Sequence, residues 1–422
     1  MDTYQFPLDL VRARSVERPV ALVRPDAAAV AARWFQNRFK GEVFYAVKAN
    51  PSDWAVETLW KNGITAFDVA SIPEVELVAR CAPGARMAFM HPVKSRAAIT
   101  RAYFDFGVRT FALDSHEELA KIIDATGGAR DLDLIVRLAV SAEGAAYSLS
   151  GKFGVSEHEA PSLLLAARRA TSGLMGVSFH VGSQCMRPTA YQAAMAQASR
   201  ALIRAGVFAD VVDVGGGFPS VYPGMVPPDM QDYVDSIHRG FEDMAVHETT
   251  ELWCEPGRAL VAETTSILCK VELRKGDALY LNDGAYGSLF DAAHSKWPFP
   301  TRLWRGADEA ASTELRAFRF YGPTCDSIDV MPGPFWLPED VTEGDYVEIG
   351  MLGAYGVAMA TRFNGYGDLE VAQVADAPMA SMFGLAPRSI PTRRVEDEED
   401  ARKVVRFSRP KGKAGVRKQR RR

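Results

Sequence analysis

Short runs of β-branched and aromatic residues, each bounded by turn formers, recur at 43–47, 65–69, 85–90, 108–113, 132–138, 174–179, 211–214 and 252–254. They read as strands. Between them lie stretches rich in Ala, Leu and charged residues, at 54–62, 72–80, 95–106, 117–125, 160–170 and 189–205, whose texture predicts helices. Eight strand–helix units suit an α/β fold closed as a (β/α)8 barrel. An open doubly wound sheet usually has fewer strands and a Gly-rich fingerprint after the first.

Beyond Glu255 the alternation stops. Strand-like runs at 266–273, 278–281 and 346–349 sit among Gly and Pro without intervening helices, which predicts a β-rich C-terminal domain. The first 20 or so residues are too short to fold alone and are expected to add a strand to it. The expected division is a barrel over 22–262, a β-rich domain made of 1–21 and 263–385, and a charged, mobile tail over 386–422.

The 422 residues are 47% hydrophobic and 24% charged, which excludes disordered, collagen-like and coiled-coil readings. No apolar run approaches the roughly 18 to 20 residues of a membrane helix, and the N-terminus lacks a basic stretch followed by an apolar core. The expectation is a soluble cytoplasmic protein without a membrane partner. Five scattered cysteines with no C-x-x-C pair argue against a disulfide framework and a zinc site, so a reducing compartment and no metal are expected. The net charge of −4 hides an asymmetry, because seven basic residues and no acid lie in 411–422, leaving the rest at −11. An acidic body is consistent with a cationic substrate. No nucleic-acid partner is expected, since the tail lacks any reading module.

In such barrels chemistry collects at the carboxyl ends of the strands. Lys48 follows the first run, and Asp68 and Arg137 lie near the ends of the second and fifth. The sixth leads into His180-Val181-Gly182-Ser183, the seventh into Gly215-Gly216-Gly217, and the eighth into Glu255-Pro256-Gly257-Arg258. Each has an ordinary explanation alone: a solvated charge, a tight turn, a hydrogen-bonded histidine. Their convergence on one rim points to chemistry. Flanked by Tyr45, Ala46, Val47 and Ala49, Lys48 is expected in an apolar mouth, where burial depresses an amine's pKa and favours a neutral nucleophile suited to a Schiff base. Glycines after a strand let backbone N–H groups approach a phosphate, to which Ser183 and Arg258 could add a hydroxyl and a guanidinium. A phosphate beside a Schiff-base lysine points to pyridoxal 5'-phosphate. Glu255 would then face the pyridine nitrogen, and the His180 ring would stack on the cofactor.

These motifs resemble the fold type III pyridoxal-phosphate decarboxylases acting on ornithine, lysine, diaminopimelate and arginine, whose barrel is alanine-racemase-like. The resemblance covers roughly 20–370 and rests on five ordered segments: Phe44-Tyr45-Ala46-Val47-Lys48-Ala49-Asn50, Phe67-Asp68-Val69-Ala70-Ser71, Ser178-Phe179-His180-Val181-Gly182-Ser183, Gly215-Gly216-Gly217-Phe218-Pro219 and Glu255-Pro256-Gly257-Arg258. It implies cofactor contacts from Lys48, Asp68, Arg137, His180, Ser183, Gly215, Gly216, Gly217, Glu255 and Arg258, and from Tyr355 in Gly353-Ala354-Tyr355-Gly356. Gly322-Pro323-Thr324-Cys325-Asp326-Ser327-Ile328-Asp329 resembles the ornithine-acting branch, which implies decarboxylation of L-ornithine to putrescine and carbon dioxide in polyamine biosynthesis. By the same resemblance, Cys325 reaches the partner subunit's site in a head-to-tail homodimer, and Lys152 and Asp329 form a salt bridge between subunits. Lys48, His180, Glu255 and Cys325 are the candidate catalytic residues. Cys325 would return a proton to Cα, and Asp326, Asp291 and Phe363 would contact the substrate chain.

Four alternatives remain. Lysine, or both diamino acids, could be the substrate, because one methylene is worth only about 1 to 3 kcal/mol of discrimination. Diaminopimelate decarboxylation is disfavoured by the Cys-Asp pair, and a racemase would need a second base above the cofactor. A non-catalytic regulatory relative would not be expected to keep Lys48, Cys325 and Glu255 together.

Overall fold

The computed structural model describes residues 1–140, 145–147, 151–295, 297–306 and 310–385. Eight parallel strands close a barrel: β1 Glu42–Ala46, β2 Ala66–Val69, β3 Arg86–Phe89, β4 Thr110–Leu113, β5 Asp133–Arg137, β6 Met175–Ser178, β7 Val211–Asp213 and β8 Glu251–Cys254, the last pairing back onto β1. The expected (β/α)8 barrel is present.

The side-chain period of two divides each strand between the barrel interior and the helical layer. Phe44, Ala66, Ala88, Met90, Ala112, Ile135, Val211 and Trp253 form the interior cluster. Their neighbours Tyr45, Phe67, Phe89, Phe111, Leu134, Val136 and Val212 belong to the larger core under the helices. Alanines on β2, β3 and β4 leave room for the rings of Phe44 and Trp253, whose centroids lie 4.7 Å apart. At the amino-terminal end the Arg86 guanidinium caps this core, 4.3 Å from the Trp253 ring and ion-paired to Glu42.

Among the described residues, two helices longer than ten residues that the texture did not predict are present, Pro25–Arg38 and Met230–Glu242. The second buries Met230, Tyr233, Val234 and Ile237, a spacing of three and four that is legible in the sequence. The first buries mostly alanines, so its apolar stripe is weak.

Ala145–Tyr147 and Ser183–Cys185 pair antiparallel as a separate two-stranded sheet, and the other described strands form a mixed sheet around the long strand Thr265–Lys275. Val20–Val23 pairs antiparallel with it, Glu370–Val374 pairs parallel with Val20–Val23, and Asp2–Tyr4 adds to that outer edge. On its other flank lie Ala278–Leu281, Leu315–Tyr321 and Val330–Pro338, while Tyr346–Ile349 joins it to Thr301–Trp304. Arg24 donates to Glu348 and Ser266 and pairs with Asp376, a buried network fastening the segment before the first long helix to this sheet. The charged tail over 386–422 lies outside the described residues. Among the described residues, no helix is long and apolar enough to cross a membrane.

Candidate active site

At the carboxyl ends of the barrel strands opens a cleft of about 460 Å³. The inward parity of the strands delivers its floor. Continuing by two from Phe44, Ala66, Ala88, Ile135 and Trp253 places Ala46, Asp68, Met90, Arg137 and Glu255 at the rim, and all five line the cleft. Lys48, His180, Ser183, Gly216, Gly217, Arg258 and Tyr355 line it as well. Gly215 lies beneath, its N–H donating to Asp213 Oδ1 at 2.8 Å and its carbonyl accepting from the Glu255 N–H at 2.8 Å. The Tyr355 N–H donates to the Ala49 carbonyl at 2.8 Å and Asn50 Nδ2 to the Gly353 carbonyl at 2.9 Å, which brings the tyrosine onto the rim from the β-rich part of the chain.

Lys48 Nζ donates to Asp68 Oδ2 at 2.6 Å, with the lysine open to the cleft at 43% exposure and the aspartate buried at 2%. Burial pushes the ammonium down, but the negative charge of Asp68 in hydrogen-bonding contact is the leading opposing effect, and the pKa stays above the ordinary value. The expectation of a depressed amine pKa is therefore corrected: in this arrangement Lys48 is a paired ammonium, because a fixed carboxylate sits in hydrogen-bonding contact. Nucleophilic use of the amine then requires its proton to be passed on, and Asp68 is the group in contact.

His180 accepts the Gly182 N–H at Nδ1, at 3.0 Å, which leaves its own ring proton on Nε2. Burial, with the positive charges of Arg137 and Lys48, pushes its pKa down to about 3, so the ring facing the cleft is neutral. An unfolded histidine titrates near about 6.5, so below that pH the unfolded chain binds a proton the folded chain refuses. Stability is therefore expected to fall as pH drops from about 6.5 towards 3, and less steeply in His180→Phe. Urea melts across that range check this, and parallel profiles for the two proteins would contradict it.

The cleft fits the cofactor inferred from the sequence. Among the described residues Glu255 Oε1 is buried without a donor, as a carboxylate awaiting an N–H would be. A Cβ on Gly216 would lie 2.9 Å from the Glu255 carbonyl and 3.1 Å from His180 Nε2, so only glycine keeps this wall open. Gly215 and Gly217 have φ of +66° and +101°, backbone that favours glycine. Among the described residues the N–H groups of Gly216 and Gly217 donate to no other group, which leaves them for an anion.

Four sequence candidates lie outside this cleft. Asp291 is taken by Arg258, whose Nη1 donates to its Oδ2 at 2.6 Å and to the Tyr222 hydroxyl at 2.6 Å. The carboxylate expected to meet substrate thus neutralises a buried guanidinium, and that guanidinium reaches the cleft already paired. Cys325 and Asp326 line a separate surface cleft with Asp329. The Cys325 thiol donates to Asn364 Oδ1 at 3.2 Å, and the Tyr286 hydroxyl donates to Asp326 Oδ2 at 2.6 Å. Phe363 packs against the Tyr286 ring at 4.9 Å. That hydroxyl holds Asp326 below its ordinary pKa and so keeps it anionic. Asp329 is buried and accepts from the Ala285 N–H and the Thr324 hydroxyl, both at 2.7 Å, whereas Lys152 lines the Lys48 cleft.

Sequence reasoning missed His91, Phe153 and Asp213. His91 and Phe153 line the cleft with ring centroids 5.1 Å apart. His91 follows the third strand and was within reach of the strand-end test. Phe153 carried no signal, since a single aromatic next to Lys152 follows no strand-end or motif pattern.

The model of the pyridoxal-dependent decarboxylases, pyridoxal binding domain, matches residues 27–262. The chain belongs to the pyridoxal-dependent decarboxylase family. Its cofactor is pyridoxal phosphate, which a Selenomonas family structure carries. The chain is 34% identical over 332 residues to the lysine/ornithine decarboxylase of Selenomonas ruminantium, covering 77% of this chain and 81% of that protein. It is 31% identical over 353 residues to the ornithine decarboxylase of Schizosaccharomyces pombe, covering 79% and 78%. Its fold matches the agmatine-bound arginine decarboxylase of Paramecium bursaria Chlorella virus with a TM-score of 0.76 and 27% identity, covering 87% of this chain and 98% of that one. This family places the chain among the fold type III decarboxylases.

Proposed function

We propose that this decarboxylase converts L-ornithine to putrescine and carbon dioxide, with L-lysine as the second substrate. The observation that carries the choice is the anionic Asp326 beside Cys325, fixed by Tyr286 and flanked by the Phe363 ring. A carboxylate offsets desolvation of an ammonium at the far end of the substrate, and the aromatic ring packs on its methylenes. The relatives named above include enzymes of both ornithine and lysine.

Pyridoxal phosphate, when bound, supplies the electron sink for the bond to the departing carboxylate. Lys48 holds its aldehyde carbon, with Asp68 as the nearest acceptor for the ammonium proton. Gly216, Gly217 and Ser183, with Tyr355 and Arg258, would hold the phosphate, and Arg137 would add positive charge to the same cleft. Glu255 fixes a proton on the ring nitrogen, and neutral His180 presents a flat face without adding charge. Cys325 returns a proton to Cα after carbon dioxide has left.

Lys48 and Cys325 line different clefts of one chain. The proposal therefore includes a homodimer in which each copy lends Cys325, Asp326 and Phe363 to the other's Lys48 cleft, and Lys152 lies where a partner's acidic residue would meet it. Mixing inactive Lys48→Ala and Cys325→Ala chains is expected to restore carbon dioxide release. A mixture as inactive as its parts would remove the shared site.

Substrate choice is tested by carbon dioxide release in a competition series of ornithine, lysine, arginine and diaminopimelate. Ornithine is expected to have the highest kcat/KM, with lysine lower by about 10- to 200-fold at most. Preference for arginine or diaminopimelate would overturn the assignment.

A further inference from the structure

Asp213 ends β7 on an inward position, buried at 1% exposure, directly under the glycine turn that holds Glu255 in place. Neither its sequence context nor the mechanism above gives it a task. Its Oδ1 accepts the Gly215 N–H at 2.8 Å, while its Oδ2 is buried without a donor among the described residues. Glu255 shows the same imbalance at Oε1, and it follows the adjacent strand β8 two positions beyond Trp253, the residue registered against Asp213, which brings the two carboxyls within each other's reach. Two carboxylates cannot bond to each other, since both only accept. A single proton between them resolves the contact and gives each side chain a partner.

We propose that Asp213 and Glu255 form a carboxyl pair sharing one proton, with Asp213 the positioning residue that aims Glu255 at the cofactor's ring nitrogen. The role of Asp213 rests on the reading of Glu255 given above. The shared proton itself does not. Burial and the negative charges of its neighbours raise Glu255 far above the ordinary carboxyl range, and burial raises Asp213 as well, the directions expected when two such groups cannot both ionise. Asp68 is the other acid facing the pair, and Lys48 and Arg137 are the cations near it. With no ring N–H present the proton rests on Glu255. With a ring N–H at Oε1 it lies on Asp213, so that Glu255 meets the ring as an anion while Asp213 stays neutral and donates to it. One proton thus changes owner within the pair, and Asp213 prevents a second buried negative charge from repelling the first.

Two measurements test this. Infrared difference spectra of the apoprotein are expected to contain a carboxylic-acid carbonyl band persisting near neutral pH, lost in both Asp213→Asn and Glu255→Gln, because an amide donor in either place removes the need for the proton. Absence of the band in the parent, or its survival in both variants, would overturn the shared proton. In titrations with pyridoxal phosphate followed by visible absorbance, Asp213→Asn is expected to keep affinity and spectrum, its amide donating to Glu255. Asp213→Val is expected to weaken binding on the order of tenfold to a hundredfold. Equal losses in both variants, or none in Asp213→Val, would overturn the positioning role. If Glu255→Gln binds with unchanged affinity and spectrum, the assignment of Glu255 to the ring nitrogen fails, and the positioning role with it. The infrared result then still decides whether the pair shares its proton.

Discussion

Replacing Lys48 with alanine is expected to lower the rate of carbon dioxide release by at least on the order of 10³-fold, with little change in thermal stability. Among the described residues the side chain is the only amine in hydrogen-bonding contact with buried Asp68, and it lines the cleft where the cofactor's aldehyde would be held. Without it, the cofactor would lose its tether, and the amine that passes its proton to Asp68 would be missing. Asp68 loses its partner but keeps access to water through the emptied lysine channel, so the folding penalty stays small. Lysine restored as arginine is expected to give no recovery, because a guanidinium remains protonated and cannot act as the nucleophile. Steady-state assays with melting curves on both variants check this. More than a tenth of parental activity in Lys48→Ala would exclude a tethering role.

Asp291→Ala is expected to destabilise the protein by about 3 to 5 kcal/mol. Arg258 is buried at 6% exposure, Asp291 supplies its only carboxylate contact among the described residues, and the Tyr222 hydroxyl is a neutral partner. Removing the carboxylate leaves an uncompensated guanidinium under the cleft, with its Nε already lacking a partner. The double variant Arg258→Met, Asp291→Leu is expected to regain much of that stability, because replacing both charges by apolar groups avoids the unpaired one. A group that served only the substrate would behave differently: Asp291→Ala would raise KM and leave urea unfolding unchanged. That result would reinstate the sequence expectation and contradict the structural role.

The barrel was legible because its strand ends and its chemistry obey one periodicity. Asp68, Arg137 and Glu255 lie two residues beyond an interior core position of the same strand, so placing the strand also places the functional group. Charge state was less legible. The apolar neighbours of Lys48 suggested a depressed amine, but Asp68, twenty positions away in sequence, sits in contact and reverses the shift. Asp291 was misjudged for a similar reason, since nothing local announces that Arg258 turns towards it. Asp213 was read only as part of a strand, although the same parity that exposed Asp68 would have placed it inward. The Cys325 loop could be named from its motif, yet its distance from the Lys48 cleft is a property of the folded chain.

The most direct test of the account is borohydride reduction of the holoenzyme followed by peptide mapping. A pyridoxyl group is predicted on the Nζ of Lys48, in the peptide containing Phe44 to Asn50. Recovery of the adduct on another lysine, or no adduct at all, would contradict it.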